Sequence, residues 1–146
     1  MEWQLKTFPE LTNEELYKII QLRIDVFVVE QQCVFQDLDN KDILSKHLCA
    51  WDRGTLAAYC RIVPPGISYP EMSIGRIVNH KDYRGAGVGR KLVQQAIEAA
   101  YLSYGKFPIR IGAQYYLKRF YESFGFIQQS EIYLEDGIEH IHMILS

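Results

Sequence analysis

Arg84-Gly85-Ala86-Gly87-Val88-Gly89-Arg90 is the stretch whose reading decides the fold. Upstream, Ile74-Gly75-Arg76-Ile77-Val78 reads as a strand and Asn79-His80-Lys81-Asp82-Tyr83 as a polar turn. Downstream, Val88, Leu92, Val93, Ala96, Ile97 and Ala100 recur at three- and four-residue spacing, the mark of one buried helix face. The glycines therefore stand where a strand hands over to a helix start. The first four N–H groups of a helix have no partner inside it and its dipole is positive there, so an anion is attracted. Three glycines in five residues remove the Cβ atoms that would hold a bulky anion off the backbone, and they permit positive φ where the loop curls round an oxygen. The stretch predicts a diphosphate cradle. The plain alternative is a glycine-rich turn that only caps a helix.

Spacing separates the known kinds of cradle. A P-loop ends in Gly-Lys-Ser/Thr, whereas Gly89 is followed by Arg90 and Lys91 with no hydroxyl after the lysine. A dinucleotide fingerprint counted from Gly85 and Gly87 needs its third glycine where Arg90 stands. Arg84-x-x-Gly87-x-Gly89 instead resembles the Arg/Gln-x-x-Gly-x-Gly/Ala loop of the GNAT superfamily of N-acetyltransferases, which holds the pyrophosphate of acetyl-CoA. A second motif supports this. Gln114 and Tyr121 are seven residues apart, and Phe120-Tyr121-x-x-Phe124-Gly125-Phe126 resembles the family's Tyr-x-x-x-Gly-Phe ending. The family usually carries asparagine where Gln114 stands. Phe27-Val28-Val29-Glu30-Gln31-Gln32-Cys33 and Glu131-x-Tyr133-x-Glu135-Asp136-Gly137-Ile138-x-His140 are similar to the ElaA-type branch of that superfamily.

The rest of the chain is consistent with one domain. At 146 residues it is long enough to bury a core and too short for two, so residues 1–146 are expected to form a single N-acetyltransferase domain. Apolar residues make up 48%, which suits a packed globule rather than a disordered chain. A net charge of −2 supplies no basic stripe for nucleic acid. No apolar run reaches the length of a membrane span, and Met1-Glu2-Trp3-Gln4 lacks the layout of a signal peptide, so the protein is expected in the cytoplasm without a membrane partner. Cys33, Cys49 and Cys60 are odd in number and lack C-x-x-C spacing, which favours reduced thiols.

In chain order, a strand at Trp3 to Thr7 precedes a helix opened by the capping box Thr12-x-x-Glu15. Residues 35 to 46 read as loop or irregular helix whose Asp37, Asp39 and Asp42 form a wet acidic surface or attract a cationic amine. A hairpin spans His47 to Val63 around Asp52-Arg53-Gly54, and a second spans Ile127 to Leu134 and Ile138 to Leu145. The fold class is α/β: a GNAT-like sandwich with a central mixed, mostly antiparallel sheet and helices on both faces.

The resemblance implies an enzyme moving an acetyl group from acetyl-CoA, as co-substrate, to a primary amine on a small molecule or peptide. Arg84, Gly85, Ala86, Gly87, Val88, Gly89 and Arg90 would hold the diphosphate. Backbone groups of Ile77 and Val78 would pair with the pantetheine arm, Gln114 would contact it, and Tyr121 would donate a proton to the leaving sulfur. A phenol of pKa about 10 against a thiol of about 8.5 makes that transfer uphill by only about two units. For the base, Glu30, Glu131, His47 and His140 are candidates, with Glu30 and His140 put forward. His140 and His142 share a strand face but lack a third ligand, so no metal is expected. A homodimer stays open. The competing classes are a non-catalytic acyl-CoA sensor and a nucleotide-binding regulator using the same cradle.

Overall fold

Thr12 opens the first helix as its sequence predicts. Its hydroxyl accepts from the Glu15 amide at 3.1 Å while the Glu15 carboxylate accepts from the Thr12 amide at 2.8 Å. In the computed structural model, which describes residues 1–146, this helix α1 runs Asn13–Arg23 and then widens into a π-helical turn over Ile24–Glu30. Such turns are rare and cluster at functional sites.

Four strands form an antiparallel meander in the order β1 (Glu2–Thr7), β2 (Lys46–Asp52), β3 (Thr55–Val63) and β4 (Ser73–Asn79). Arg53 at φ +50° and Gly54 at φ +82° make the two-residue turn between β2 and β3, the handedness that matches strand twist. β3 is buried on both faces. Tyr59 packs with Ile19 and Leu22 of α1 on one side, while Ala58, Cys60 and Ile62 pack on the other with Leu92, Val93 and Ala96 of α2 (Val88–Tyr104). Helices therefore cover both faces of the sheet, as expected.

A second antiparallel group contains β5 (Ile109–Gln114), β6 (Ile127–Gln128), β7 (Tyr133–Glu135) and β8 (Ile138–Leu145), with β8 pairing the other three. Between β5 and β6 lies the short helix α3, Lys118–Glu122. The two groups join through one parallel bridge, Met72 to Ile109, where the Arg110 amide donates to the Met72 carbonyl at 3.0 Å. Beyond that bridge β4 and β5 share no ladder, and a cleft opens between them.

Two expectations need correction. The first arm of the second hairpin is not one strand: β6 and β7 are separated by Gln129–Ile132. There the Ser130 hydroxyl takes a ladder position, accepting from the His142 amide at 2.8 Å, so a side chain replaces the carbonyl a strand would supply. Nor is the acidic loop a wet surface. Asp37 and Asp42 are buried, and three arginines neutralise the three aspartates. Arg23 pairs with Asp37 at 2.9 Å and Asp42 at 2.6 Å, Arg61 with Asp39 at 2.7 Å and Asp42 at 3.1 Å, and Arg76 with Asp37 at 2.8 Å. Burial alone would raise the Asp39 carboxyl, but the hydrogen-bonded Arg61 outweighs it and holds that group far below the usual carboxylate range.

Candidate active site

The cleft between β4 and β5 measures about 610 Å³. β4 supplies Ile77 and Val78 to one wall and β5 supplies Gln114 to the other. The π turn brings Glu30, the glycine loop Arg84 and Gly89, α3 Tyr121, and β8 His140. Eight of the residues singled out from sequence thus meet in one cavity, although 110 positions separate the first from the last. The other residues of the loop do not line it. Gly85 at φ +82° and Gly87 at φ +77° face open space, with no heavy atom within 4 Å of where a Cβ would stand. Val88 begins α2 directly after Gly87. Arg90 turns aside: it donates to the Ser123 hydroxyl at 2.9 Å and lies 4.7 Å from the Phe124 ring centroid, tying α2 to the end of α3.

β4 carries one extra residue against β3 between Gly75 and Val78, a bulge at which Arg76 takes φ +51°. A left-handed arginine is uncommon, and bulges re-aim backbone groups beside active sites. The Arg76 side chain accounts for its being held there. It meets Asp37 and reaches within 5.8 Å of the Phe35 ring centroid, so the bulge and the acidic loop fix each other. On the opposite strand Gly112 makes room for two phenols: a Cβ there would lie 3.2 Å from both the Tyr69 and Tyr133 hydroxyls. Sequence reasoning missed Arg76, Gly112 and Tyr69. Gly112 interrupts an apolar strand, which was the one available signal.

Tyr121 is 6% exposed, and burial pushes its phenol above the ordinary range. It therefore stays protonated at neutral pH. His140 is buried, its Nδ1 donates to the Ile138 carbonyl at 2.7 Å, and its Nε2 lies 3.4 Å from the Glu135 carboxylate. Glu30 is engaged with Arg84, whose hydrogen bonds lower its carboxyl. His47 and Glu131 do not line the cleft. His47 is buried elsewhere, bonded to the Tyr59 hydroxyl at 2.7 Å and the Asp42 carbonyl at 2.9 Å, and burial lowers its pKa.

Cys33 also lines the cleft, and its thiol lies 3.5 Å from the Asp136 carbonyl, where the acidic loop touches the β7–β8 turn. All three cysteines are free. No group of three or more His, Cys, Asp and Glu side chains is arranged to hold a metal, and no helix is long and apolar enough to cross a membrane.

Comparison with known proteins agrees with this geometry. The family described as "Acetyltransferase (GNAT) domain" matches residues 9–146. Protein ElaA of Escherichia coli strain K12 is 40% identical over 145 residues, covering 98% of this chain and 95% of that one. The crystal structure of an acyl-CoA N-acyltransferase from Pseudomonas aeruginosa superposes with a TM-score of 0.95 at 38% identity, over 100% of both chains. That of Escherichia coli ElaA does so at 0.93 and 38%, again over 100% of both.

Proposed function

Because the chain belongs to the acetyltransferase (GNAT) family, as an ElaA-type member with the fold of an acyl-CoA-dependent N-acyltransferase, we propose that it transfers acetyl from acetyl-CoA to a primary amine by direct attack. Residues 1–146 act in this reading as one cytoplasmic catalytic domain. The observation that carries it is the cleft itself: a cavity between β4 and β5 that Arg84, Gly89, Tyr121 and His140 all line.

The residues divide the work. Arg84 and the amides of residues 85–89 hold the diphosphate, and the unpaired edge of β4 at Ile77 and Val78 aligns the pantetheine arm as an extra strand, with Gln114 across from it. Fixing both reactants in line supplies much of the rate, since effective molarities reach about 10⁵ M or more. A backbone N–H at the bulge polarises the thioester oxygen. His140 Nε2 takes the proton that the attacking amine must shed, and Glu135 stabilises the resulting imidazolium. As the carbon–sulfur bond breaks, the Tyr121 hydroxyl protonates the departing thiolate. Of the two bases put forward from sequence, the hydrogen bonds favour His140, because Arg84 draws Glu30 away from proton acceptance.

A thiol-release assay of acetyl-CoA against a panel of amines tests the reading. Turnover is expected with at least one primary amine, and Tyr121→Phe is expected to cut it by about 10² with little change in acetyl-CoA affinity. Binding of acetyl-CoA without thiol release from any amine would replace the enzyme by an acyl-CoA sensor. Equal affinity for ATP would point to the nucleotide regulator.

A further inference from the structure

Two of the donors expected to hold the diphosphate, Arg84 and the Gly89 N–H, already have partners within the chain. Both Arg84 Nη atoms donate to Glu30, at 2.5 and 2.8 Å, reaching from the glycine loop to the end of the π turn. Helix α2 has no cap of its own, because Gly87 at the N-cap position has no side chain to offer. The cap comes instead from the end of β4. With its amide oriented to satisfy both neighbours, the Asn79 oxygen accepts from the Gly89 N–H at 3.2 Å and its nitrogen donates to the Val78 carbonyl at 3.3 Å. Gly89 makes this contact feasible, since a Cβ there would stand 2.9 Å from the Asn79 amide. All four residues line the cleft.

We propose that Glu30 and Asn79 are built-in competitors for the coenzyme's diphosphate, one occupying the Arg84 guanidinium and the other the Gly89 N–H, so that coenzyme binding is an exchange of acceptors. The inference rests on the acyltransferase reading of the cleft. Two side chains serve because the donors differ: a guanidinium takes a carboxylate in a two-pronged contact, while a helix N–H takes a neutral amide oxygen, as helix caps do. The Glu30–Arg84 pair is half-exposed, so that contact is weak enough to yield to a doubly charged group.

Calorimetry of the full chain with acetyl-CoA at low salt is the test. Glu30→Gln should tighten binding about two- to five-fold, and the gain should vanish in an Arg84→Gln background. Asn79→Ala should tighten binding by a similar factor while lowering the melting temperature of the protein measured without coenzyme. Opposite signs of that kind are what a residue of purely structural importance would not produce. Unchanged or weaker binding in either variant overturns the proposal, as does a Glu30→Gln gain that persists in full without Arg84, which would be charge repulsion through space. Failure of the unaltered protein to bind acetyl-CoA would sink the acyltransferase reading as well. Normal binding with flat variants sinks only the exchange.

Discussion

The proposed cradle at residues 84–90 is contiguous in sequence and would act chiefly through peptide nitrogens, whereas the wall at residues 31–45 is held by buried side chains drawn from distant segments. Arg23 ends α1, Arg61 lies in mid-β3 and Arg76 sits at the β4 bulge, and each reaches into the same loop. A backbone cradle costs little to assemble and contributes little to stability. A buried ion network roughly cancels desolvation against attraction while intact, yet removing one member strands a charge. The first region should thus fail by losing ligand and the second by losing the fold.

The largest test of that contrast is Gly87→Glu, which should weaken acetyl-CoA binding by about 10³ or more through steric and charge clash, read by calorimetry. Its melting temperature should fall only a few degrees, the cost of a left-handed non-glycine residue. Arg23→Met should do the reverse. It leaves three buried or half-buried carboxylates with two arginines, at a cost of about 3–5 kcal/mol, read as a fall of about 10 °C in melting temperature. If Gly87→Glu unfolds the protein while Arg23→Met does not, the division between the regions is wrong.

His140→Gln sharpens the picture on the chemical side. Turnover at neutral pH should drop by about 10² and recover in part at higher pH, where the acceptor amine loses its proton to solvent. A pH-independent loss would demote His140 to a packing residue. The smallest effect belongs to acid titration of the wall, followed by melting temperature. Burial depresses the folded pKa of His47 below its ordinary value of about 6.5, so the unfolded chain binds more protons there and stability falls as pH drops below that value. Arg23 and Arg61 overcome burial to depress Asp42, and Arg61 likewise depresses Asp39, so a second loss sets in below about pH 4. A flat profile between pH 7 and 5 would show that His47 takes no part.

How much of this was legible follows from how local each feature is. Thr12 and Glu15, the Arg53-Gly54 turn and the periodicity of α2 are decided within a few residues, and each appears where its pattern predicts. So does the cradle. The wall was misread because Asp37, Asp39 and Asp42 find partners 14 to 39 positions away, and nothing near them distinguishes a solvated carboxylate from a neutralised one. The broken β6–β7 arm turned on one hydroxyl, Ser130, substituting for a ladder carbonyl. Arg76 at positive φ ran against its own backbone preference, and only tertiary contacts hold it there.

The single bridge from Met72 to Ile109 leaves an unzipped seam in the middle of the protein rather than at its rim. Peptide groups along such a seam are free to pair with an extended chain, so on the proposed reading a coenzyme bound there would act as a stopper as well as a reactant. Preparations kept saturated with CoA should outlast bare ones on the shelf, and a peptide rich in strand formers should shorten the life of the bare protein first.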